Sequence, residues 1–288
     1  FAAALFLMGF GLKAAMVPFH AWLPDAHPAA PAPISAMLSG VLIKAIGMYA
    51  IARFFYVVFG MDGLTSTVFM ALGLLSMVVG ALLAVGQWDF KRLLAYSSIS
   101  QMGYVMLGLG IGTPLGVLGA LFHLLNHATF KGLLFLCSGA IEHGTGTRDM
   151  RKMGGLIRSM PLTGTTCSVG SLSISGIPPF NGFWSKLIIV IAAVQAGHYA
   201  VAAVVVLVSF LTLVYYLKLM RHSIFGEIPE ALRGIGEAPA LMGIPLVLLA
   251  LCCLSLGLLY PVLKPLLLGP ATDVLLRAGD YISLVLGG

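Results

Sequence analysis

Long apolar stretches alternate with short segments rich in charged residues, proline and glycine along this 288-residue sequence. A helix that crosses a bilayer needs roughly 20 apolar residues, which is about the length of each stretch. The alternation predicts eight membrane-spanning segments, at about residues 1–17, 33–58, 64–87, 93–111, 115–141, 161–197, 199–221 and 239–260. Beyond them, residues 262–288 mix apolar and charged side chains, which favours an interfacial helix over a ninth span.

Prolines interrupt two of these predicted spans. Pro18 follows the first apolar stretch, and Pro178 and Pro179 lie within the stretch at 161–197, which is too long for one straight crossing. A proline has no backbone N–H and breaks the hydrogen-bond ladder of a helix. The sequence therefore predicts two discontinuous helices, and these cross in opposite directions, as an inverted-topology repeat requires.

The composition assigns the chain to a broad class. Hydrophobic residues make up 59% and charged residues 9% of the sequence, and the mean hydropathy is +1.03. These values exclude a soluble enzyme, a nucleic-acid-binding module and a disordered chain. The predicted fold is an all-α, polytopic transmembrane helical bundle with inverted-repeat architecture and two discontinuous helices, surrounded by the lipid bilayer and without a nucleic-acid partner.

The basic residues predict how this bundle is oriented. If the spans alternate, one side receives eight Lys and Arg side chains, namely Lys91, Arg92, Arg148, Arg151, Lys152, Arg158, Arg221 and Arg233. The other side receives three, namely Arg53, Lys264 and Arg277. Because cytoplasmic loops carry the excess of Lys and Arg, we expect a prokaryotic cytoplasmic (inner) membrane, with both ends of this chain on the outer side.

Lysines occur where charge is costly. Five of them fall within predicted spans, Lys13, Lys44, Lys131, Lys186 and Lys218, whereas every Asp and Glu lies in a loop, at a span end or in the tail. A lysine at the centre of a membrane helix costs about 2.5–3.5 kcal/mol on an insertion scale, so such lysines are functional candidates. Lys218 lies near a predicted helix end, which favours snorkelling to the membrane surface. The other four lie deeper and are predicted to exchange protons, because burial disfavours the charged form of an amine.

A second candidate group lies in the fifth span. His123, His127 and Lys131 follow one another at intervals of four residues, so they share one helix face over roughly 12 Å. Two histidines continued by a lysine favour a proton track over histidines that are only packed in the core. A zinc site on His123 and His127 is the other alternative, although this helix offers no third ligand.

Two further polar groups keep two interpretations each. A run in the fourth span could hold water for a relay or hydrogen-bond neighbouring helices; it consists of Ser97, Ser98, Ser100 and Gln101. Three charged residues between the fifth and sixth spans are typical of a solvated cytoplasmic face, with a role in an interface as the alternative; they are Asp149, Arg151 and Lys152.

Long motifs in this sequence resemble a known family. They are GFGLKAAMVPFHAWLPDAHPAAPAPISAMLSGVLIKAIGMYAIAR at 9–53, KRLLAYSSISQMGYV at 91–105, FHLLNHATFKGLLFLCSGAI at 122–141, TRDMRKMGGL at 147–156 and SGIPPFNGFWSKL at 175–187. With these motifs, the chain resembles the antiporter-like subunits shared by respiratory complex I, membrane-bound nickel–iron hydrogenases and Mrp cation/proton antiporters. The resemblance covers about residues 1–226.

The resemblance also implies a domain organisation. The family subunit has fourteen helices, and this chain matches it from the seventh helix onward. Residues 1–58 would be the end of the first inverted repeat, with two helices of which the first is broken. Residues 64–224 would be the second repeat, with five helices and a break near 176–182, and residues 239–288 would be a C-terminal transmembrane helix plus the interfacial tail.

Roles for individual residues follow from the resemblance. Lys13 would be the central lysine of the seventh helix, and Lys44 would lead toward the middle of the membrane. His123, His127 and Lys131 would be the connecting relay, and Lys186, where some relatives carry glutamate, would be the exit-side group. A family glutamate on the fifth helix partners the central lysine. This sequence lacks that helix, so we expect the carboxylate on a preceding segment or on another polypeptide.

The leading hypothesis is a proton-translocating subunit of a multisubunit redox-driven complex of the membrane-bound hydrogenase or complex I type. The chain has no Gly-rich nucleotide loop and no Cys cluster, so it has no catalytic redox site of its own. Iron–sulfur clusters, and a nickel–iron site or flavin, are expected in partner subunits. Other antiporter-like, small membrane and peripheral redox subunits are the expected partners.

Two alternatives remain at this point. The first is a subunit of an Mrp-type assembly that exchanges Na⁺ for protons without redox input. The second is a non-conducting scaffold that only packs against other subunits. The absence of a carboxylate within the predicted spans favours protons over Na⁺ as the ion.

Overall fold

The computed structural model describes residues 1–277. The end of the predicted interfacial tail, at 278–288 and including Asp280, lies outside the described residues. Within the described part, ten helices follow one another: α1 Ala2–Ala14, α2 Leu23–Ala29, α3 Ala32–Val58, α4 Gly63–Val85, α5 Phe90–Ile111, α6 Pro114–Thr145, α7 Pro161–Ser175, α8 Asn181–Gln195, α9 Tyr199–Ile224 and α10 Ala240–Leu258.

Shorter elements connect and extend these helices. The α6–α7 connection contains Met150–Lys152 and Leu156–Ser159, and the α9–α10 connection contains Glu230–Leu232. Three consecutive helical pieces after α10, named here the C-terminal segment, are Tyr260–Leu263, Lys264–Leu268 and Gly269–Leu276. The strand-like contact found in the described residues is an isolated bridge between Asp89 and Asp149. The predicted all-α bundle is therefore confirmed.

Every predicted span contains helix. Five helices are long and apolar enough to cross a membrane, namely α3, α4, α6, α9 and α10. Helix α5 is more polar, but all of its residues except Arg92 and Tyr96 are buried. Its serines and glutamine therefore face neighbouring helices rather than lipid, which a membrane helix needs when it carries polar side chains.

Both predicted breaks are present, whereas the opposite directions of the two broken helices stay a prediction. Helix α1 ends at Ala14, and Ala15 takes up a left-handed conformation with φ of 55° before the chain continues into α2. Helix α7 ends at Ser175, and Gly176 has φ of 83° before α8 begins. The prediction of two discontinuous helices is confirmed, whereas the assignment of 1–58 and 64–224 to separate repeats stays a prediction.

The basic loops meet at one end of the bundle. The N–H of Phe90 donates to the Arg148 carbonyl, and the N–H of Met150 donates to the Trp88 carbonyl, both at 3.0 Å. The N–H of Gly155 reaches the Phe225 carbonyl at 3.0 Å, which joins the α6–α7 and α9–α10 connections. This grouping agrees with alternating spans. That this end faces the cytoplasm stays a prediction.

Glycines bring α4 and α5 into backbone contact. A methyl group added at Gly103 would lie 2.6 Å from both the Gly73 carbonyl oxygen and the Met77 nitrogen. A methyl group at Gly80 would lie 2.5 Å from the Ser100 nitrogen. Small residues allow such approaches between membrane helices, where packing rather than water exclusion drives association. The pair α4–α5 is thus the tightest support behind the polar face of α5.

We predict that Gly103→Ala destabilises the protein, because the new methyl group must displace the backbone of α4. Overpacking of this kind costs about 1–3 kcal/mol. The matched control is Gly132→Ala in α6, where the nearest atom to the new methyl group is 3.5 Å away. The control should be neutral or stabilising by up to about 1 kcal/mol, because alanine favours helix. The thermal unfolding midpoint of the detergent-solubilised protein measures both; equal midpoints would contradict the prediction.

Candidate functional site

Three of the predicted relay lysines are buried inside the bundle. Lys44 and Lys131 are 0% exposed and Lys186 is 4% exposed. Each directs its Nζ atom at a backbone carbonyl: Lys44 at Ala14, 2.6 Å away, Lys131 at Leu94, 2.7 Å away, and Lys186 at Ile174, 2.8 Å away. None of the Asp and Glu residues in the described part of the chain is buried. These three lysines are therefore paired with carbonyl dipoles rather than with carboxylates.

The end of α1 provides the carbonyl that Lys44 uses. The N–H groups of Ala15 and Met16 donate back to the carbonyls of Leu12 and Gly11, at 3.0 and 2.9 Å. This is the common helix ending with one left-handed residue, and it satisfies two of the carbonyls that the last turn exposes. The Ala14 carbonyl, two residues after that of Leu12, accepts from Lys44. A cation at the C-terminal end of a helix is also favoured by the helix dipole.

The end of α7 repeats this arrangement for Lys186. The N–H groups of Gly176 and Ile177 donate to Ser173 and Leu172, at 3.0 and 3.1 Å. The Ile174 carbonyl then accepts from Lys186, on the far side of the same break. Both breaks therefore end in the same backbone hydrogen-bond pattern, and at each of them a buried lysine pairs with a remaining carbonyl. This common geometry could not be read from the sequence.

A π-helical turn precedes Lys44. Residues Leu38–Leu42 of α3 form this turn, in which each N–H bonds five residues back. Within it, the Ser39 hydroxyl contacts the Ser98 hydroxyl of α5 at 3.0 Å. Such turns shift the face of the helix that follows, and here Lys44 comes to lie against α1.

Lys131 connects three helices. Besides the Leu94 carbonyl of α5, its Nζ atom donates to the Tyr216 hydroxyl of α9 at 3.2 Å. The same Nζ atom lies 6.0 Å from the centre of the Tyr216 ring. Lys131 therefore lies at the junction of α5, α6 and α9. Tyr216 is a contact that reasoning from the sequence missed.

His123 is held from both sides. Its Nε2 atom lies 3.0 Å from the Gln101 amide oxygen, and its Nδ1 atom lies 2.9 Å from the Ser185 hydroxyl. An amide oxygen can only accept, so Nε2 donates to Gln101. The Ser185 hydroxyl also donates to the Gly182 carbonyl at 3.3 Å. Ser185 directly precedes Lys186. The Tyr104 ring lies beside both His123 and Lys186. Its centre is 5.4 Å from the centre of the His123 ring and 5.1 Å from the Lys186 Nζ atom.

His127 and His27 are buried without a hydrogen bond to protein at either ring nitrogen. The charged or titratable neighbours that act electrostatically on His127 are Lys131, His123, Lys44 and His27. His27 was not among the residues predicted from the sequence, because its proline-rich surroundings indicated a loop. Its ring stacks on Phe135, with 4.5 Å between centroids. His127 therefore lies among the predicted relay groups, and His27 joins them.

Lys13 differs from the other lysines. Its side chain is exposed on α1, beside a hollow of about 320 Å³ that is lined by Leu5, Phe6, Gly9 and Phe10. The expectation of a buried Lys13 is therefore not met within residues 1–277, because no described helix covers this face of α1. Pro18, next to the break that Lys13 precedes, is exposed as well.

Lys218 contacts the end of a neighbouring helix, and its snorkelling to the membrane surface stays a prediction. Its Nζ atom donates to the carbonyls of Val85 and Gln87, both at 2.6 Å, and lies 4.6 Å from the centre of the Trp88 ring. The side chain thus caps the C-terminal end of α4, where a cation satisfies free carbonyls. The sequence could not indicate this contact, because Val85 and Lys218 are 133 residues apart.

The polar run of α5 is engaged with protein. Ser97 contacts the Tyr216 hydroxyl at 3.0 Å, Ser98 contacts Ser39, and Ser100 donates to the Met77 carbonyl at 2.9 Å. Gln101 holds His123, as described above. The run therefore bonds neighbouring helices, and two of its members, Ser97 and Gln101, contact the predicted relay or its neighbours.

Charged groups gather at the basic end of the bundle. Lys91, which is 2% exposed, pairs with Glu142 at 2.9 Å, and Arg148 pairs with Asp89 at 3.3 Å. The Arg148 Nη1 atom also donates to the Pro28 carbonyl at 2.5 Å. Lys91, Glu142 and Arg148 border a cavity of about 550 Å³ beside the proline-rich segment at 28–33. Ion pairs thus fasten the segment after α2 to α5 and α6.

Asp149 and Arg151 form a local pair in the α6–α7 connection. The guanidinium of Arg151 contacts the Asp149 carboxylate at 2.9 Å, and its backbone N–H donates to the same group at 3.0 Å. The hydrogen bonds from Arg151 hold the pKa of the Asp149 carboxyl below its usual value. Arg151 and Lys152 are exposed, as expected of a solvated face.

The described residues offer no third ligand for a metal ion at His123 and His127. Among residues 1–277, no three His, Cys, Asp or Glu side chains come together in a way that could hold a metal ion. The nitrogen atoms of His123 bond to Gln101 and Ser185 instead. The chemistry that this arrangement supports is the binding and transfer of protons by amines, imidazoles and hydroxyls.

Comparison with protein families gives one extended match. The sequence pattern of the family described as "NADH:quinone oxidoreductase/Mrp antiporter, TM" matches residues 1–212. These residues include α1 to α8, both helix breaks and all the predicted relay residues.

Curated relatives come from three kinds of complex. The chain is 41% identical over 226 residues to a Na(+)/H(+) antiporter subunit of Alkalihalophilus pseudofirmus, a match that covers 78% of this chain and 46% of that protein. It is 39% identical over 294 residues to hydrogenase-4 component B of Escherichia coli strain K12, covering 92% and 43%. It is 36% identical over 272 residues to an NADH-quinone oxidoreductase subunit of Desulforudis audaxviator, covering 89% and 54%. The chain thus spans about half the length of these relatives.

Solved structures that match this chain also come from three kinds of complex. A chain of the Mrp complex from a Dietzia species superposes with a TM-score of 0.93 at 34% identity, covering 99% of this chain and 61% of that one. A chain of the archaeal membrane-bound sulfane sulfur reductase gives 0.82 at 38% identity, covering 88% and 44%. A chain of respiratory complex I from Thermus thermophilus gives 0.84 at 26% identity, covering 96% and 58%. All three are multisubunit membrane complexes.

We predict that Arg148→Leu lowers stability, because it leaves the Pro28 carbonyl and the Asp89 carboxylate without this partner. A lost partner of a partly buried polar group costs about 1–3 kcal/mol. The control is Arg233→Leu, which removes an ion pair whose side chains are 73% and 89% exposed. Exposed pairs contribute about 0–1 kcal/mol. The thermal unfolding midpoints of both variants test this prediction. An equal loss of stability in the two would show that the contacts of Arg148 contribute no more than an exposed ion pair.

Proposed function

The chain belongs to the NADH:quinone oxidoreductase/Mrp antiporter family, and on this basis we propose that it translocates protons as the membrane subunit of a multisubunit redox-driven complex. The complex would be of the membrane-bound hydrogenase or complex I type. The observation that carries the proposal is the set of three buried lysines, each paired with a backbone carbonyl, in a bundle that also buries His123, His127 and several hydroxyls.

Carbonyl pairing suits a lysine that must gain and lose a proton. A carboxylate at hydrogen-bond distance would hold the ammonium form firmly, whereas a neutral carbonyl accepts from either the ammonium or the amine. Burial without a carboxylate brings the two forms closer in free energy. Lys44, Lys131 and Lys186 can therefore change charge in response to their neighbours.

Repulsion between neighbouring cations would couple the sites. Lys44 acts electrostatically on Lys131, and both act on His127. When one of these groups takes up a proton, the next one is favoured to release its own. In the proposed sequence, protons pass from Lys13 and Lys44 to Lys131, then by His127 and His123 to Lys186.

The helix breaks have a role in this proposal. Pro18, Pro178 and Pro179 interrupt helices where Lys44 and Lys186 find free carbonyls. Irregular backbone at membrane depth is tolerated where it lines an ion route. Lys13, exposed on this chain, would act with a carboxylate supplied by a preceding segment or another polypeptide.

Partners would supply the redox chemistry. We infer that iron–sulfur clusters, and a nickel–iron site or flavin, are held by peripheral subunits, because proton transfer is the chemistry offered by the site described above. Further antiporter-like and small membrane subunits would complete the membrane part. The proposed location is the cytoplasmic membrane of a prokaryote, with the basic end in the cytoplasm.

A second candidate is the exchange of Na⁺ for protons in an Mrp-type assembly without redox input. Two observations favour it: the 41% identity to a Na(+)/H(+) antiporter subunit and the TM-score of 0.93 to a chain of an Mrp complex. The same lysines would then carry the protons of the exchange. The two candidates differ in what drives the ion movement and in the partners that assemble with the chain.

We predict that Lys131→Met in the complete complex abolishes proton translocation, because a thioether cannot carry a proton between α5, α6 and α9. Loss of one positioned proton-transfer group lowers the rate by about 10²-fold or more. The control is Lys152→Met, which removes an exposed lysine outside the helix core. A pH-sensitive dye in inside-out membrane vesicles measures the initial rate. Unchanged translocation in Lys131→Met would contradict the proposal and favour a non-conducting scaffold instead.

The driving reaction separates the two candidates. We expect the vesicles to form a pH gradient when an electron donor such as H₂ or NADH is added, and mass spectrometry of the purified complex to find iron–sulfur subunits. A gradient that forms only with an imposed Na⁺ gradient, together with only small membrane subunits, would establish Mrp-type exchange instead. Both measurements use the wild-type complex, with Lys131→Met as the inactive reference.

A further inference from the structure

A file of hydroxyl groups leaves Lys131 on the side of α9. Tyr216 accepts from Lys131 at 3.2 Å, and its hydroxyl lies 3.0 Å from that of Ser97. Ser97 in turn accepts from the Tyr215 hydroxyl at 3.1 Å. All three hydroxyl-bearing residues are 0% exposed. Four titratable or hydroxyl groups are thus joined without a break, from Lys131 to Tyr215.

The file continues toward Lys186. The Thr212 side chain lies close to those of Tyr215 and Tyr104, and the Ser209 side chain lies close to that of Tyr104. The Tyr104 and Thr212 hydroxyls donate to the carbonyls of Val205 and Val208, at 3.3 and 2.8 Å. The Lys186 Nζ atom donates to the Ser209 hydroxyl at 3.3 Å. Ser209, Thr212 and Tyr216 follow at intervals of three and four residues, so they share one face of α9. The continuous hydrogen bonds thus run from Lys131 to Tyr215, and polar side chains on the same face of α9 lead on to Lys186.

Burying so many hydroxyls is costly unless they bond to one another. A buried hydroxyl without a partner costs about 1–3 kcal/mol by mutational measures. Apolar side chains of similar shape would fill the same space without that cost. His127, on the face first predicted as the track, makes no hydrogen bond to protein, whereas Ser97 has two hydroxyl partners. The hydroxyl file is thus the better connected of the two.

We propose that the hydroxyls of Tyr216, Ser97 and Tyr215 carry protons between Lys131 and the Lys186 side of the bundle, along a route that does not use His127. This inference rests on the proposed proton translocation. Each hydroxyl accepts a proton on one lone pair and releases its own to the next oxygen. A proton that enters at Tyr215 therefore leads to release from Tyr216 to the neutral Lys131 amine, with no net change in the hydroxyls. Rotation of the three O–H bonds resets the file or reverses its direction.

The test removes single hydroxyls and keeps the side-chain shape. Tyr215→Phe and Ser97→Ala break the file at adjacent positions. The matched controls are Ser100→Ala, one turn further along α5, where the hydroxyl bonds the Met77 carbonyl, and Tyr56→Phe, where the hydroxyl bonds the Leu109 carbonyl at 2.6 Å. The initial rate of proton translocation is measured in vesicles that carry the complete complex, in H₂O and in D₂O.

We expect Tyr215→Phe and Ser97→Ala each to lower the rate by roughly 100-fold or more, as for the loss of a positioned proton-transfer group. The double variant should lose no more than either single one, because the two hydroxyls act in series. Ser97→Thr, which keeps a hydroxyl, should recover activity. The solvent isotope effect should change in the file variants and stay at the wild-type value in both controls, which a merely structural role would not produce.

Two negative results have different meanings. If Lys131→Met stops translocation while Tyr215→Phe and Ser97→Ala match their controls, the hydroxyl file carries no protons and the proposed function still holds. If Lys131→Met translocates normally, the proposed function itself fails. Gel filtration of each variant complex confirms assembly. Should Ser97→Ala not assemble, Tyr215→Phe decides the question alone.

Discussion

Inside a membrane, no water can replace the hydrogen bond that a polar group loses when it leaves its partner. The rest of this structure follows from that constraint. Each broken helix exposes carbonyls in mid-bundle, and each buried lysine needs acceptors. At the two breaks these requirements meet: Lys44 pairs with the Ala14 carbonyl and Lys186 with the Ile174 carbonyl. Removing either partner would leave the other unsatisfied. The breaks and the lysines are therefore best understood as a single feature.

Much of the fold could be predicted from the sequence, because hydropathy and proline have local effects. The long apolar stretches indicated the helices, and Pro18, Pro178 and Pro179 marked both interruptions. The deep lysines could also be named, since charge in an apolar run is conspicuous. Burial of Lys44, Lys131 and Lys186 agrees with their depth. Their roles in proton transfer stay a prediction.

The residues that reasoning from sequence missed or misjudged depend on contacts between distant segments. Lys218 caps a helix that lies more than a hundred residues earlier in the chain, so this contact could not be predicted from its position near a helix end. Lys13 is exposed because no described helix covers its face. His27 lies in a proline-rich segment and was not identified as a candidate. Tyr215 and Tyr216 lie in an apolar helix, and their contacts with Ser97 join segments that are more than a hundred residues apart.

The glycine contacts between α4 and α5 have a mechanical consequence. Two helices that touch backbone to backbone at Gly73, Gly80 and Gly103 have no layer of side chains that could slide or repack between them. The pair therefore behaves as a single stiff plate, and α5 presents Ser97 and Gln101 from that plate at fixed positions. Proton transfer along α5 would then need only movement of protons and rotation of side chains, while the helices α4 and α5 themselves stay in place.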